Sequence, residues 1–329
     1  MRTRLGKGSE FDLIRGFLRS GGTLPPEIVV GPGDDCAVLD DGLVVSVDIS
    51  LEGIHFRQEW ITLQEAGYRA AVAGLSDLAA MAAEPLGLLV SLAVGSKAPE
   101  EAARQLNAGV VEAAGDAGVQ ILGGDLSSSP GPAVVDIVAL GRTERPLLRS
   151  GSRPGDDVWV TGWLGGSGAA VAAWMRGETP GPGLRSAFCR PTPRIREARW
   201  LAERVTLHSG IDLSDGLAGD AGHLAAASGV ALILDLERLP FSPDLVSHRI
   251  EKEERLRFAL QGGEDYELCL TAPEGVLRPL CSPFQQEFGI PLSRVGRVAA
   301  GEGVAVEDAL GFEGFESGGF SHFRGGEKG

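Results

Sequence analysis

Lysine is nearly absent from this chain of 329 residues: Lys7, Lys97, Lys252 and Lys328 are the whole set, so most of the 30 basic residues are arginines. Against 45 acidic residues they leave a formal net charge of -15, which excludes the concentrated basic face that nucleic acid or an anionic membrane requires. Any bound phosphate must then be neutralised by metal ions or by arginine. No G-x-x-x-x-G-K-[ST] stretch occurs, which excludes an ordinary P-loop. The cysteines Cys36, Cys189, Cys269 and Cys281 form no C-x-x-C pair, so buried free thiols are expected rather than a zinc site or a disulfide framework. The longest apolar run, Leu86 to Val94, is too short to span a bilayer. The amino terminus reaches Glu10 and Asp12 without the apolar stretch of a signal peptide, so a cytoplasmic protein is expected.

What is present is enough apolar material for proper cores, with 43% hydrophobic and 23% charged residues. The length exceeds the roughly 250 to 300 residues at which a single core stops growing, so two domains are expected. The turn-rich stretch Arg149 to Asp156 marks their junction, with an amino-terminal unit over 1–148 and a carboxy-terminal unit over 149–329. Ser9, Asp12 and the apolar series Phe11, Ile14, Phe17 and Leu18 read as a capped helix ending at Gly21-Gly22. Ile28 to Val30, Ala37 to Leu39 and Leu43 to Val47 read as strands, which puts Asp35 and Asp48 at strand ends. Gln64 to Ala83 is an alanine-rich helix, apolar over most of its circumference and so expected to be buried with Asp77 inside it. A helix from Glu100 to Ala117, a strand from Val119 to Leu122 and a strand from Ala133 to Leu140 follow. Val158 to Thr161 opens a second α/β unit. The glycine loop Gly162 to Gly168 after it could admit phosphate but reads better as close packing, and Glu178 to Pro193 reads as a mobile loop.

The chemistry sits in acids set beside glycine or other small residues: Gly33-Asp34-Asp35, Ser46-Val47-Asp48, Ser76-Asp77, Gly123-Gly124-Asp125, Asp212-Leu213-Ser214-Asp215-Gly216 and Gly262-Gly263-Glu264-Asp265. Two carboxylates ~4 Å apart repel by about 4 kcal/mol at an effective dielectric near 20, so acids that converge need counter-cations. Acids scattered over the surface would explain nothing. Convergence would point to magnesium-dependent phosphoryl transfer.

Gly33-Asp34-Asp35-Cys36-Ala37, Leu75-Ser76-Asp77-Leu78-Ala79-Ala80-Met81, Ile211-Asp212-Leu213-Ser214-Asp215-Gly216-Leu217 and Gly262-Gly263-Glu264-Asp265-Tyr266-Glu267-Leu268 stand in the order of a known pattern. On these blocks the chain resembles the thiamine-monophosphate kinase family, of the aminoimidazole ribonucleotide synthetase-like superfamily, from Glu10-Phe11 to Ser321-His322-Phe323. The resemblance implies two α/β domains, the amino-terminal sheet pairing across a homodimer and the carboxy-terminal domain closing over nucleotide. It implies direct in-line transfer of the γ-phosphoryl group of ATP to thiamine monophosphate, with several magnesium ions. By the same resemblance Asp35, Ser46, Val47 through its carbonyl, Asp48, Asp77, Asp125, Asp212 and Asp215 are metal ligands, and Asp125 and Asp212 are the catalytic candidates. Gly124, Asp125, Arg149 and Ser214 meet ATP, while His55, Glu264 and Phe320 meet thiamine monophosphate. Asp34 is read instead as a turn cap, and Asp220 is left out of the set because it reads equally well as an exposed helical acid.

The chain departs from the pattern at Val47, at Leu126 and in Gly319-Phe320-Ser321-His322-Phe323, where the family's usual hydroxyls and one acid are missing. Two other readings stay open: an amidine-forming ribonucleotide synthetase-like enzyme, and a magnesium-nucleotide scaffold without turnover.

Overall fold

The β-branched runs near the amino terminus form the strands their spacing suggests. The computed structural model describes residues 22–95, 99–247, 250–308 and 311–314, together with Leu13, Ile14, Gly16 and Phe17, which are helical. The remainder of the expected first helix and Phe320 lie outside the described residues.

The first sheet has six strands: β1 (Ile28–Val30), β2 (Ala37–Leu39), β3 (Leu43–Leu51), β4 (Glu84–Gly95), β5 (Ile121–Ser129) and β6 (Val134–Arg142). Their order is β1-β2-β3-β6-β4-β5, antiparallel except for the β4–β5 pair. The helices α1 (Leu63–Ala80) and α2 (Pro99–Asp116) belong to this half, and α1 packs on β3 and β6. Thr62 starts α1 with a reciprocal capping box to Glu65. The two helices touch backbone to backbone, since a Cβ on Gly67 would lie 1.9 Å from Leu106 O and one on Gly109 1.8 Å from Gln64 O.

The segment 143–155 joins this half to a seven-stranded sheet made of β7 (Asp156–Thr161), β8 (Ser209–Asp212), β9 (Ala231–Asp235), β10 (Leu268–Pro273), β11 (Leu292–Ala299), β12 (Gly303–Asp308) and β13 (Gly311–Gly314). Its order is β13-β12-β9-β11-β7-β10-β8, and only β9–β12 is parallel. The helices of this half are α3 (Gly166–Met175), α4 (Pro182–Cys189), α5 (Ile195–Ala202), α6 (Leu217–Ser228), α7 (Pro243–Ser247), α8 (Lys252–Gln261) and α9 (Cys281–Phe288). One apolar core runs from Val30 and Val44 through α1 to Phe188, Ala198 and Phe284, so the two halves share buried surface. A second core lies between β7, β8, β9 and α6. Among the described residues no helix is long and apolar enough to cross a membrane.

Three sequence expectations are corrected. Glu178 to Pro193 is not a loop throughout, because Pro182 sits at the first turn of α4, which buries Leu184 and Phe188. Asp48 lies within β3 rather than at its end, since the strand continues to Leu51 on its pairing with β6. The strand expected at Val119 to Leu122 is instead β5, running through the glycines. A Cβ on Gly124 would fall 1.8 Å from Val90 O, so bare glycine lets this edge strand close onto β4.

Candidate metal centre

Three separate pieces of chain deliver carboxylates to one place. Asp35 comes from the turn before β2, Asp77 from α1 and Asp212 from the end of β8, and one oxygen of each lies within 4.8 Å of the others. Helix α1 makes the convergence possible, because it touches both β3 and β8. The Ser46 hydroxyl on β3 donates to Asp77 Oδ2, and Ser76 beside it donates to Asp212 Oδ2 at 2.7 Å. Two neighbouring residues of one helix therefore tie both halves to the cluster.

These acids are costly as bare anions. Burial, then the charges of Asp212, Asp48 and Asp35, push the Asp77 carboxyl well above the usual range. Burial and then Asp35 raise Asp212 to about 7, and burial followed by Glu264 raises Asp48 to about 7. The Asp35 side chain is shut off from solvent; its Oδ1 accepts from Arg149 at 2.7 Å, while its Oδ2 is buried without a hydrogen-bond partner. Three carboxylates, one of them with an orphaned buried oxygen, and a hydroxyl form an all-oxygen donor set, and this fits a hard divalent cation. The neighbouring Cys36 thiol is pushed up by burial and by Asp77, and it stays protonated.

Arg149 is the cation of the site. Burial opposes its charge, but Asp35 outweighs this and raises its pKa. Its backbone N–H donates to Asp34 Oδ1 at 3.0 Å, and Asp35 N donates to the same oxygen at 3.3 Å, so Asp34 ties down backbone rather than joining the cluster.

A second acid group lies one turn further along, where ligand atoms of Asp215, Asp220 and His223 fall within 4.8 Å of one another. Asp220 is not an exposed helical acid: it is 2% exposed at the start of α6, and its Oδ2 accepts from Asp215 N at 3.1 Å. Burial and then Asp215 raise its pKa strongly, whereas burial and then Arg149 lower His223 to about 3.

Against the segment 212–216 lies the turn 262–267, joined by Glu264 N to Ser214 O at 2.8 Å and Tyr266 N to Leu213 O at 2.9 Å. Glu264 and Tyr266 hold the left-handed φ values 57° and 51°. Asp265 caps α3 by accepting from Gly165 N at 2.7 Å and Ser167 N at 3.4 Å, so the helix start read as a possible phosphate seat is filled by the protein's own carboxylate. Glu267 takes both arms of the Arg194 fork, at 2.6 and 2.7 Å, and the Thr161 hydroxyl at 2.8 Å. Glu264 pairs with Arg69 at 2.8 Å.

The cluster thus brings together Asp35, Ser46, Asp77, Asp212 and Arg149 by direct contact and Asp48 by charge, with Ser214, Asp215 and Glu264 on adjoining turns. Other expected site residues lie apart. Asp125 and Gly124 are on the exposed edge strand β5, and Asp125 belongs to neither acid group. In the strand register Asp125 aligns with Ser91, Asp136 and Ile49, while Gly124 aligns with Val90, Ile137 and Asp48; alternation therefore puts Asp125 on the opposite face from Asp48. Val47 is 65% exposed on that outer face. His55 follows β3, and its Nδ1 accepts from Leu51 N at 3.0 Å, which leaves Nε2 to carry the hydrogen of the neutral ring. The sequence assigns no individual role to Arg69, Ser76, Asp265 or Glu267, although the last three stand within the motifs quoted above. The available signal for Arg69 was a lone cation in an otherwise apolar helix.

Comparison with known proteins agrees with this architecture. Residues 33–143 match the model of the AIR synthase related protein, N-terminal domain, and residues 153–309 that of the C-terminal domain. The thiamine-monophosphate kinase of Rhodopirellula baltica is 37% identical over 304 residues, covering 88% of this chain and 89% of that protein. That of Escherichia coli is 35% identical over 300 residues, covering 88% and 90%. The solved structure of AaThiL complexed with AMPPCP and TMP superposes with a TM-score of 0.81 at 30% identity, covering 97% of each chain. With carboxylates from both halves meeting at α1 and this likeness along nearly the whole length, the chain belongs to the thiamine-monophosphate kinase family.

Proposed function

We propose that this protein transfers the γ-phosphoryl group of ATP to the phosphate of thiamine monophosphate, giving thiamine diphosphate and ADP. The observation that carries the reading is the buried Asp35, Asp77 and Asp212 cluster, with ligand oxygens within 4.8 Å, in a chain of this family. The neighbour's ligands support it, since AMPPCP keeps the outline of ATP with a methylene in place of one bridging oxygen.

Asp35, Asp77 and Asp212, with Ser46 and Asp48, would hold magnesium, and Asp215 a further ion. Bound there, magnesium neutralises the polyphosphate and stabilises the charge of the loose transition state. The acceptor phosphate is already anionic at neutral pH, so the chain's task is positioning rather than general base catalysis. A phosphate oxygen of thiamine monophosphate forms a bond to the γ-phosphorus as the bond to the β,γ-bridging oxygen breaks, and ADP leaves in line. Arg149 faces the phosphates together with Ser214 and the bare backbone at Gly124. His55 Nε2–H, Glu264 and Phe320 take the thiamine end.

Asp125 completes the metal and ATP set in this reading. The chain works as a homodimer through the first sheet, whose outer face and edge expose Val47, Ile49, Leu122 and Leu126. A cytoplasmic site of action fits the four free cysteines.

The test is incubation with ATP, magnesium and thiamine monophosphate. Thiamine diphosphate should appear in step with ADP, and inversion at a chiral γ-phosphorus should mark direct transfer. Nucleotide binding without product would favour the scaffold reading.

A further inference from the structure

Arg69 is the only basic residue in α1, and it is 4% exposed. A buried guanidinium needs its donors satisfied, and this one is shared between two elements of the other half. It donates to the Phe188 carbonyl near the end of α4, and its guanidinium carbon Cζ lies 3.5 Å from the centroid of the Phe188 ring. Its other arm meets Glu264 Oε1 at 2.8 Å.

Glu264 differs from the two acids that follow it, Asp265 and Glu267. Asp265 is occupied capping α3 and Glu267 is occupied by Arg194 and Thr161, so both serve to hold the turn. Glu264 keeps a quarter of its side chain exposed, at 25%, and its charge is felt at Asp48 in the metal cluster. Its backbone is held at φ 57° by the hydrogen bond to Ser214 O, a conformation that persists only where the surroundings over-determine it. The backbone is fixed from one side, and Arg69 fixes the carboxylate from the other.

We propose that Arg69 is a positioning residue for the thiamine end of the substrate, holding the Glu264 carboxylate in place and so setting affinity for thiamine monophosphate but not for ATP. The proposal rests on the reading of Glu264 as the acid that meets the thiamine moiety. Arg69 touches no substrate in this scheme; it acts through Glu264. The same helix carries Ser76 and Asp77 into the metal cluster, so α1 would register thiamine and phosphate sites against each other along one rigid element.

The test is a double-mutant cycle of Arg69→Met and Glu264→Gln, with KM for each substrate, kcat and the thermal midpoint read separately. Arg69→Met should raise KM for thiamine monophosphate ~10-fold or more, the scale of a charge-assisted hydrogen bond, and change KM for ATP by less than about 2-fold. In the Glu264→Gln background the same change should add less than about 2-fold. Arg69→Lys, which keeps the charge and loses the fork and the stack, should recover part of the affinity. An equal rise in both KM values alongside a fallen thermal midpoint, or a full additive effect without Glu264, would overturn the proposal and leave Arg69 a packing residue. If Glu264→Gln raises KM for thiamine monophosphate while Arg69→Met does not, the Arg69 proposal alone fails. If Glu264→Gln is silent, the placement of thiamine at Glu264 fails first. Should Arg69→Met not fold, Arg69→Gln carries the same comparison.

Discussion

Two regions of this molecule share the same sequence signature, an acid within two residues of glycine or serine, and end in opposite environments. Ser76-Asp77 and Asp212 are enclosed between the two halves, where serine hydroxyls hold each carboxylate. Gly124-Asp125 lies on β5, an edge strand exposed along most of its length. A helix wedged between two sheets fixes its side chains from every direction, whereas an edge strand is held on one side only. The first acid set is therefore preorganised within one chain. The second is not, and under the proposed function nucleotide or the second copy of a dimer would complete it.

The comparison breaks most sharply by mutation. Asp77→Asn and Asp212→Asn should each cut turnover by roughly 10³, the upper end for losing one preorganised electrostatic element. Asp125→Asn should cost roughly 10², because its carboxylate lies outside the enclosed cluster. Equal losses at all three positions would erase the distinction, and near-normal turnover in Asp125→Asn would remove Asp125 from the metal set. The enclosed acids carry a second signature. In chelator, Asp77→Asn should raise the thermal midpoint, by about 1–2 °C for each kcal/mol of relieved repulsion. Asp125→Asn should leave it where it was.

Next in size is the effect of the outer face of the first sheet. Ile49→Glu places a charge on the outer face of the first sheet, where Ile49 is 54% exposed. Light scattering should then show a shift from dimer to monomer, with activity falling in proportion if Asp125 works only in the assembled state. A wild-type chain already monomeric at working concentration would sink the dimer and force another explanation for Asp125.

The difference between the regions also explains what the sequence could and could not reveal. Strands Ile28–Val30 and Ala37–Leu39 and the buried α1 were legible because β-branched runs and all-round apolar helices have few other solutions. Helix α4 was obscured by Pro182 and two glycines, which look like a loop until the proline is seen to occupy a helical first turn. That acids in glycine and small-residue contexts carry the chemistry was legible; whether they converge, and which of them meet, was not, since Asp35, Asp77 and Asp212 are far apart in the chain and only packing at α1 joins them. The supporting residues Asp265 and Glu267 were hidden for the same reason. Their partners Gly165 and Arg194 lie 100 and 73 residues away.

The smallest effect is the most direct reading of the enclosed cluster. Asp48, Asp212 and Asp265 titrate near 7 when folded, against an unfolded carboxyl near 3.9, so between about pH 4 and pH 7 the folded chain binds more protons than the unfolded one. Without metal, stability should thus be highest at the acid end of that window, fall as pH climbs through it and level off above it. His223 runs the other way: its folded value of about 3 lies below the unfolded one near 6.5, so it destabilises the fold below neutrality, as one group against those three and the likewise raised Asp77 and Asp220. Under the proposed function a divalent cation would take the place of the protons at Asp48 and Asp212. The thermal midpoint gained on adding magnesium to chelator-treated protein should therefore be larger at pH 8 than at pH 5.5, and Asp125→Asn should keep that difference while Asp212→Asn shrinks it. A magnesium effect independent of pH would mean that the ion binds at acids already charged and solvated, on the exposed strand rather than in the enclosed cluster.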